Sequence, residues 1–173
     1  MHQSGKTTLD TLQLQDLWHK LYTKNGKAWL TVSSGSMAPM IQVGDKVLVK
    51  QTAPQHIRFG DIIVFKEAGK LITHRVIGKQ VSDRHVIFMQ KGDSNTSATY
   101  VLSENVIGKV VCIGKEDKII RLDSFLGRQM NLLLSFSFYV LYILHKRHFA
   151  LRLDRLFRYC LNILFLVRFW INI

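Results

Sequence analysis

The chain has 173 residues, enough for one domain of ordinary size and an appendage. Its formal net charge is +12, from 24 Lys and Arg against 12 Asp and Glu, and that excess points to an anionic partner. No nucleic-acid motif is present, and the basic residues near the end are interleaved with long apolar runs, so the expected partner is a membrane lipid surface, not nucleic acid. Two cysteines, Cys112 and Cys160, make no disulfide framework, and no metal-ligand spacing occurs.

Residues 1–27 open the chain. Met1 to Thr8 is polar and lacks the apolar run of a cleavable signal peptide. Leu14, Leu17, Trp18 and Leu21 recur at spacings of three and four, which predicts one apolar face of an amphipathic helix. Thr8 or Asp10 is suited to cap it, and Asn25-Gly26 to end it. The helix is far too polar to span a bilayer. It either packs on the domain or lies at an interface.

Residues 28–122 read as almost wholly β. Short apolar runs at 28–32, 46–50, 62–66, 71–80, 84–90, 105–114 and 118–121 alternate with Gly, Asp and Asn turns. Such spacing predicts a compact sheet-and-barrel domain. Within the first loop, Ser33-Ser34-Gly35-Ser36-Met37-Ala38-Pro39 sets Ser36 in a tight bend, with Gly35 for backbone freedom and Pro39 to stiffen the exit. A strand holding His74 and Arg75 follows, then an acidic turn, Lys91-Gly92-Asp93-Ser94-Asn95. Ser, His and Asp thus stand on separate strands and loops, as hydrolase triads usually do.

Past Asp123 the character changes. Phe125 to Leu144 is strongly apolar, but its uninterrupted part is short of a bilayer's hydrocarbon core, and the full length brings in Arg128, Gln129 and Asn131. Arg152, Arg155 and Arg158 then share a helical face opposite Leu153, Leu156, Phe157 and Cys160. Residues 123–173 are therefore expected to be an apolar, basic helical tail associated with a membrane. A helical pair packed on the β domain is the alternative.

In this order, Ser34-Gly35-Ser36-Met37-Ala38-Pro39, Gly44-Asp45, Gly60-Asp61-Ile62-Ile63-Val64-Phe65, His74-Arg75-Val76, Lys91-Gly92-Asp93-Ser94-Asn95 and Val106-Ile107-Gly108-Lys109-Val110 resemble the type I signal peptidases. The resemblance is to their Ser-His branch, typical of archaea, the endoplasmic reticulum and some Gram-positive bacteria, and it covers roughly residues 30–115. It implies a mainly β, signal-peptidase-like (LexA-like) catalytic fold. It implies a serine endopeptidase that cleaves signal or leader peptides after small residues, with an extended peptide as substrate and neither metal nor cofactor.

Residue by residue, the resemblance implies Ser36 as nucleophile and His74 as general base, where the better-known bacterial enzymes carry a lysine. It implies Asp93 as third triad member. Ser34 and the backbone N–H of Ser36 would form the oxyanion hole, and Met37 would lie against the substrate. The family often carries further acids a few residues beyond Asp93. Here those positions are Ser97, Ala98 and Thr99, which leaves Asp93 as the acid of the loop and Asp83 as a distant substitute. Lys46, Lys66 and Lys70 keep a Ser-Lys dyad open. Two rival readings are a catalytically inactive peptide-binding membrane module and a cytoplasmic leader peptidase that matures a small peptide product. Either side of a bacterial or archaeal cell membrane is compatible with the order of the segments.

Overall fold

The computed structural model describes residues 20, 22–82, 85–116 and 118–146. Eight antiparallel strands form one open sheet: β1 (Lys27–Thr31), β2 (Lys46–Lys50), β3 (Ile62–Glu67), β4 (Lys70–Val81), β5 (Val86–Lys91), β6 (Thr99–Leu102), β7 (Val106–Lys115) and β8 (Lys118–Arg121). Their order across the sheet is β1-β2-β7-β3-β4-β5-β6, with β8 also paired to β7. The mainly β architecture expected from the sequence is present, as an open sheet and not a closed barrel.

The sheet carries a core on each face. β3 runs through the middle, and its Ile62-Ile63-Val64-Phe65 is buried on both sides, so it reads as a continuous apolar run without alternation. Ile62 and Val64 join the larger core with Val47, Val49, Val110, Ile113, Met37, Met40 and Ile41. Ile63 and Phe65 join the smaller one with Ile57, Val76, Phe88 and Val101.

Two Gly-Asp turns feed the central strands. Gly44 and Gly60 sit at φ +93° and +92°, where a side chain would be strained. In each, the aspartate accepts an N–H from three residues earlier: Gln42 N–H to Asp45 at 2.8 Å, and Arg58 N–H to Asp61 at 2.9 Å. Each carboxylate also pairs with a lysine of β7, Lys115 and Lys109 respectively. These acids are structural turn residues.

After β8 the chain enters α1 (Phe125–Lys146). Ser124 caps it by accepting the Gly127 N–H at 3.1 Å. Asn131, Leu134, Ser135, Phe138 and Leu141 are buried at spacings of three and four, so one face of α1 packs on the larger core. Phe125, Leu126, Leu132, Leu133 and Phe136 remain exposed on the remainder of its surface. Among the described residues no helix is long and apolar enough to cross a membrane.

Of the expected N-terminal helix, residues 22–25 are helical. Tyr22 is buried, and its hydroxyl donates to the Ile107 carbonyl at 2.7 Å. Thr8, Asp10, Leu14, Leu17, Trp18 and Leu21 lie outside the described residues. So do Asp83 and residues 147–173 of the tail, with Arg152, Arg155, Arg158 and Cys160.

Candidate active site

β4 and the loop between β1 and β2 bring Ser36 and His74 together. Val32 anchors the loop to its far side, exchanging backbone hydrogen bonds with Asp45 and Gly44 at 2.8 and 2.9 Å. Met37, Met40 and Ile41 are sunk in the larger core, which fixes the turn after Ser36. The peptide bond between Ala38 and Pro39 is cis. Ser36 is left half-buried at the surface, and its Oγ lies 3.2 Å from His74 Nε2. Ser34 Oγ stands 3.5 Å from the same hydroxyl oxygen.

The bend does not depend on Gly35 in the way its sequence suggests. Gly35 lies outside the left-handed region, and a Cβ there would meet open space. The steric requirement falls on Gly92, where a Cβ would stand 2.7 Å from the Ser36 carbonyl oxygen. Ser94 then clasps that same carbonyl twice, through its N–H at 3.0 Å and its hydroxyl at 2.9 Å. The Gly92-Asp93-Ser94 turn therefore presses on the serine loop from behind.

His74 projects from β4 on the side of the smaller core, opposite Ile63 and edge-on to Phe65. Burial pushes its imidazole below the ordinary value of 6.5, opposed by the hydrogen bond it makes to Gln90 and by the charges of Asp93 and Glu67. It is thus held neutral near pH 7, in the state that accepts a proton. Its Nδ1 meets Gln90 Oε1 at 2.5 Å, and Gln90 Nε2 meets Thr99 Oγ1 at 2.5 Å.

Asp93 is not at the imidazole. Its carboxylate is engaged by the next residue of β4, Arg75, through Nε and Nη2, both at 2.8 Å. Arg75 points to the other side of the sheet and is fully buried. Its remaining donors go to the Gly60 carbonyl at 3.2 Å, Asn131 Oδ1 of α1 at 3.0 Å and Met40 Sδ at 3.1 Å. Both oxygens of the Asp93 carboxylate accept from that guanidinium, while His74 Nδ1 meets Gln90 instead. The expectation that Asp93 orients His74 is corrected on that ground: its place is in the joint behind the site.

Met37 is 1% exposed, so it anchors the serine loop and presents no surface to a substrate. Lys66 and Lys70 flank the β3–β4 hairpin and Lys46 begins β2; all three are exposed, and the imidazole that meets Ser36 Oγ is that of His74. Gln90 was not singled out from the sequence. Its only signal there is a polar residue at an inward position of an otherwise apolar strand, Phe88-Met89-Gln90.

Residues 3–111 match the Peptidase S24-like family. The chain belongs to that family. Over 80 residues it is 38% identical to Signal peptidase I W of Bacillus subtilis (strain 168), a stretch covering 44% of this chain and 42% of that protein. Over 69 residues it is 41% identical to the signal peptidase complex catalytic subunit SEC11C of Homo sapiens, covering 38% of this chain and 36% of that one; the figures for Mus musculus are the same. The chain thus spans about two fifths of the length of the curated relatives it matches. In this S24-like chain, the matched region contains Ser34, Ser36, His74, Gln90 and Asp93.

Proposed function

We propose that the chain is a membrane-associated serine endopeptidase that cleaves signal or leader peptides after small residues, with Ser36 as nucleophile and His74 as general base. The observation that carries this reading is the 3.2 Å approach of Ser36 Oγ to His74 Nε2, in a loop open to solvent. His74 takes the hydroxyl proton as Ser36 Oγ attacks the scissile carbonyl carbon. The oxyanion that forms is met by the Ser36 N–H and the Ser34 hydroxyl. The imidazolium returns its proton to the leaving amine, and water then hydrolyses the acyl-Ser36 ester by the same route in reverse.

The substrate would lie extended beside Ser33 and Ser34, which are exposed and outside the strands, so that alternate side chains face the sheet. The names of the relatives support signal peptides as the substrate class. The net charge of +12 and the exposed apolar face of α1 support a lipid surface as the place of work.

An acylating serine-directed inhibitor tests the nucleophile. Mass spectrometry should find the adduct on Ser36, and Ser36→Ala should take up none and cleave no peptide while its melting temperature stays unchanged. Wild-type turnover by Ser36→Ala would end this mechanism. Peptide binding without acylation of Ser36 would instead favour an inactive binding module.

A further inference from the structure

The imidazole of His74 is held by an amide where a triad would hold it by a carboxylate. Gln90 opposes Val76 of β4 on one side and Thr99 of β6 on the other. His74 lies two residues before Val76, so it is the diagonal neighbour of Gln90 on the same face of the sheet. His74, Gln90 and Thr99 thus form a polar row across three strands, at the open end of the smaller core. Gln90 is 1% exposed, and a buried amide must satisfy both of its ends. Gln90 Nε2 donates to Thr99 Oγ1, and Oε1 faces the imidazole.

The orientation of that amide has a chemical consequence. With Oε1 facing Nδ1, the ring proton resides on Nδ1, and the lone pair of Nε2 faces Ser36. A reversed amide would donate to Nδ1, move the ring proton to Nε2 and leave no base for the serine. When His74 takes up the serine proton, both ring nitrogens become donors, and only the Oε1-facing amide accepts from the imidazolium.

We propose that Gln90, backed by Thr99, is the positioning residue that sets the tautomer of His74, an uncharged substitute for the third member of the triad. This rests on the Ser36–His74 reading above. The charged groups that face His74 are Asp93 in the turn after β5, Glu67 at the end of β3 and Lys91 of β5. Asp93 is paired with Arg75, and among the described residues no carboxylate hydrogen-bonds the ring. A dipole offsets the imidazolium charge less than a carboxylate does. The base therefore titrates lower than it would beside an acid.

The test reads the ring directly, apart from turnover. Nitrogen NMR of His74 in the full chain should show the Nδ1–H tautomer and a titration midpoint below 6.5. Gln90→Glu should raise that midpoint by about one unit or more, and carry the acid limb of kcat upward with it. Thr99→Val, at an exposed site where folding is not at risk, should lower the Nδ1–H fraction. Gln90→Leu should lower kcat by about 10²–10⁴-fold, on the scale of a wrong tautomer, with KM little changed. An unmoved midpoint in Gln90→Glu, or a wild-type tautomer ratio in Thr99→Val, overturns the proposal. Failure of the inhibitor to label Ser36 would overturn the nucleophile instead, because the tautomer measurement does not depend on it.

Discussion

His74 and Arg75 are consecutive residues of β4, and the strand's alternation sends them to opposite faces with opposite tasks. On one face His74 is half-buried, touches a hydroxyl and an amide, and keeps one nitrogen turned to a surface serine. On the other, Arg75 is fully buried with all its N–H groups aimed at acceptors from four separate parts of the chain. One side of the strand holds an imidazole, a group able to exchange a proton near neutral pH. The other holds a permanent charge that never does. The His74 face is sparse and the Arg75 face is saturated: Arg75 ties the Asp93 turn, the end of the serine loop at Met40, the Gly60 turn and α1 to the strand that carries His74.

The largest effect should come from breaking the saturated face. Arg75→Met or Asp93→Leu strands one buried charge and should destabilise the fold by about 3–5 kcal/mol, read by urea denaturation. The double variant should recover much of that loss, since no charge is then left unpaired. A single variant with wild-type stability would show that the joint is dispensable. Removal of α1 should act in the same direction, because Arg75 loses Asn131 and its contact with the Phe138 ring, 5.9 Å from the guanidinium carbon to the ring centre.

On the sparse face, Ser34→Ala should reduce kcat about a hundredfold, the scale of one lost oxyanion donor, with no change in melting temperature. That split between rate and stability is the reverse of the one expected for Arg75. Single-turnover kinetics beside a thermal melt would measure both.

Acidity gives a subtler test. The folded state holds His74 below 6.5, so the unfolded chain takes up that proton first as pH falls. The associated stability is present above about pH 6.5 and is lost as pH drops through the folded value; activity should fall over the lower part of the same range. Denaturation curves at a series of pH values should show this slope in the wild type and a flatter one in His74→Gln. The slope should persist in Asp93→Asn if Asp93 is only a structural partner.

The smallest change is expected between the two faces. Ser94→Ala removes the hydroxyl hydrogen bonds to the Gly35 and Ser36 carbonyls and keeps the backbone one. It should cost about 1 kcal/mol of stability. A much larger drop in kcat than in stability would show that this clasp also sets the aim of Ser36.

Much of the architecture was legible in the chain because it is written in local patterns. Apolar runs between Gly, Asp and Asn turns marked seven of the eight strands of the described residues to within a few residues. The exception is β6, Thr99–Leu102, a four-residue edge strand that follows a run of polar turn residues and has no alternation long enough to register. The serine loop and His74 were likewise visible, since each sits inside a short motif of fixed order. What the sequence by itself determined is therefore the β class, the serine loop and the imidazole beside an arginine. Which polar group met which was decided only by the tertiary structure. Asp93 and Gln90 stand three residues apart, and either could in principle have served His74. The pairing of β4 with β5 sent Gln90 to the imidazole and left Asp93 in the turn beyond the strand, beside the buried guanidinium of Arg75. A buried cation binds the nearest carboxylate far more strongly than a neutral ring can. That competition between partners 18 residues apart is invisible in a linear motif.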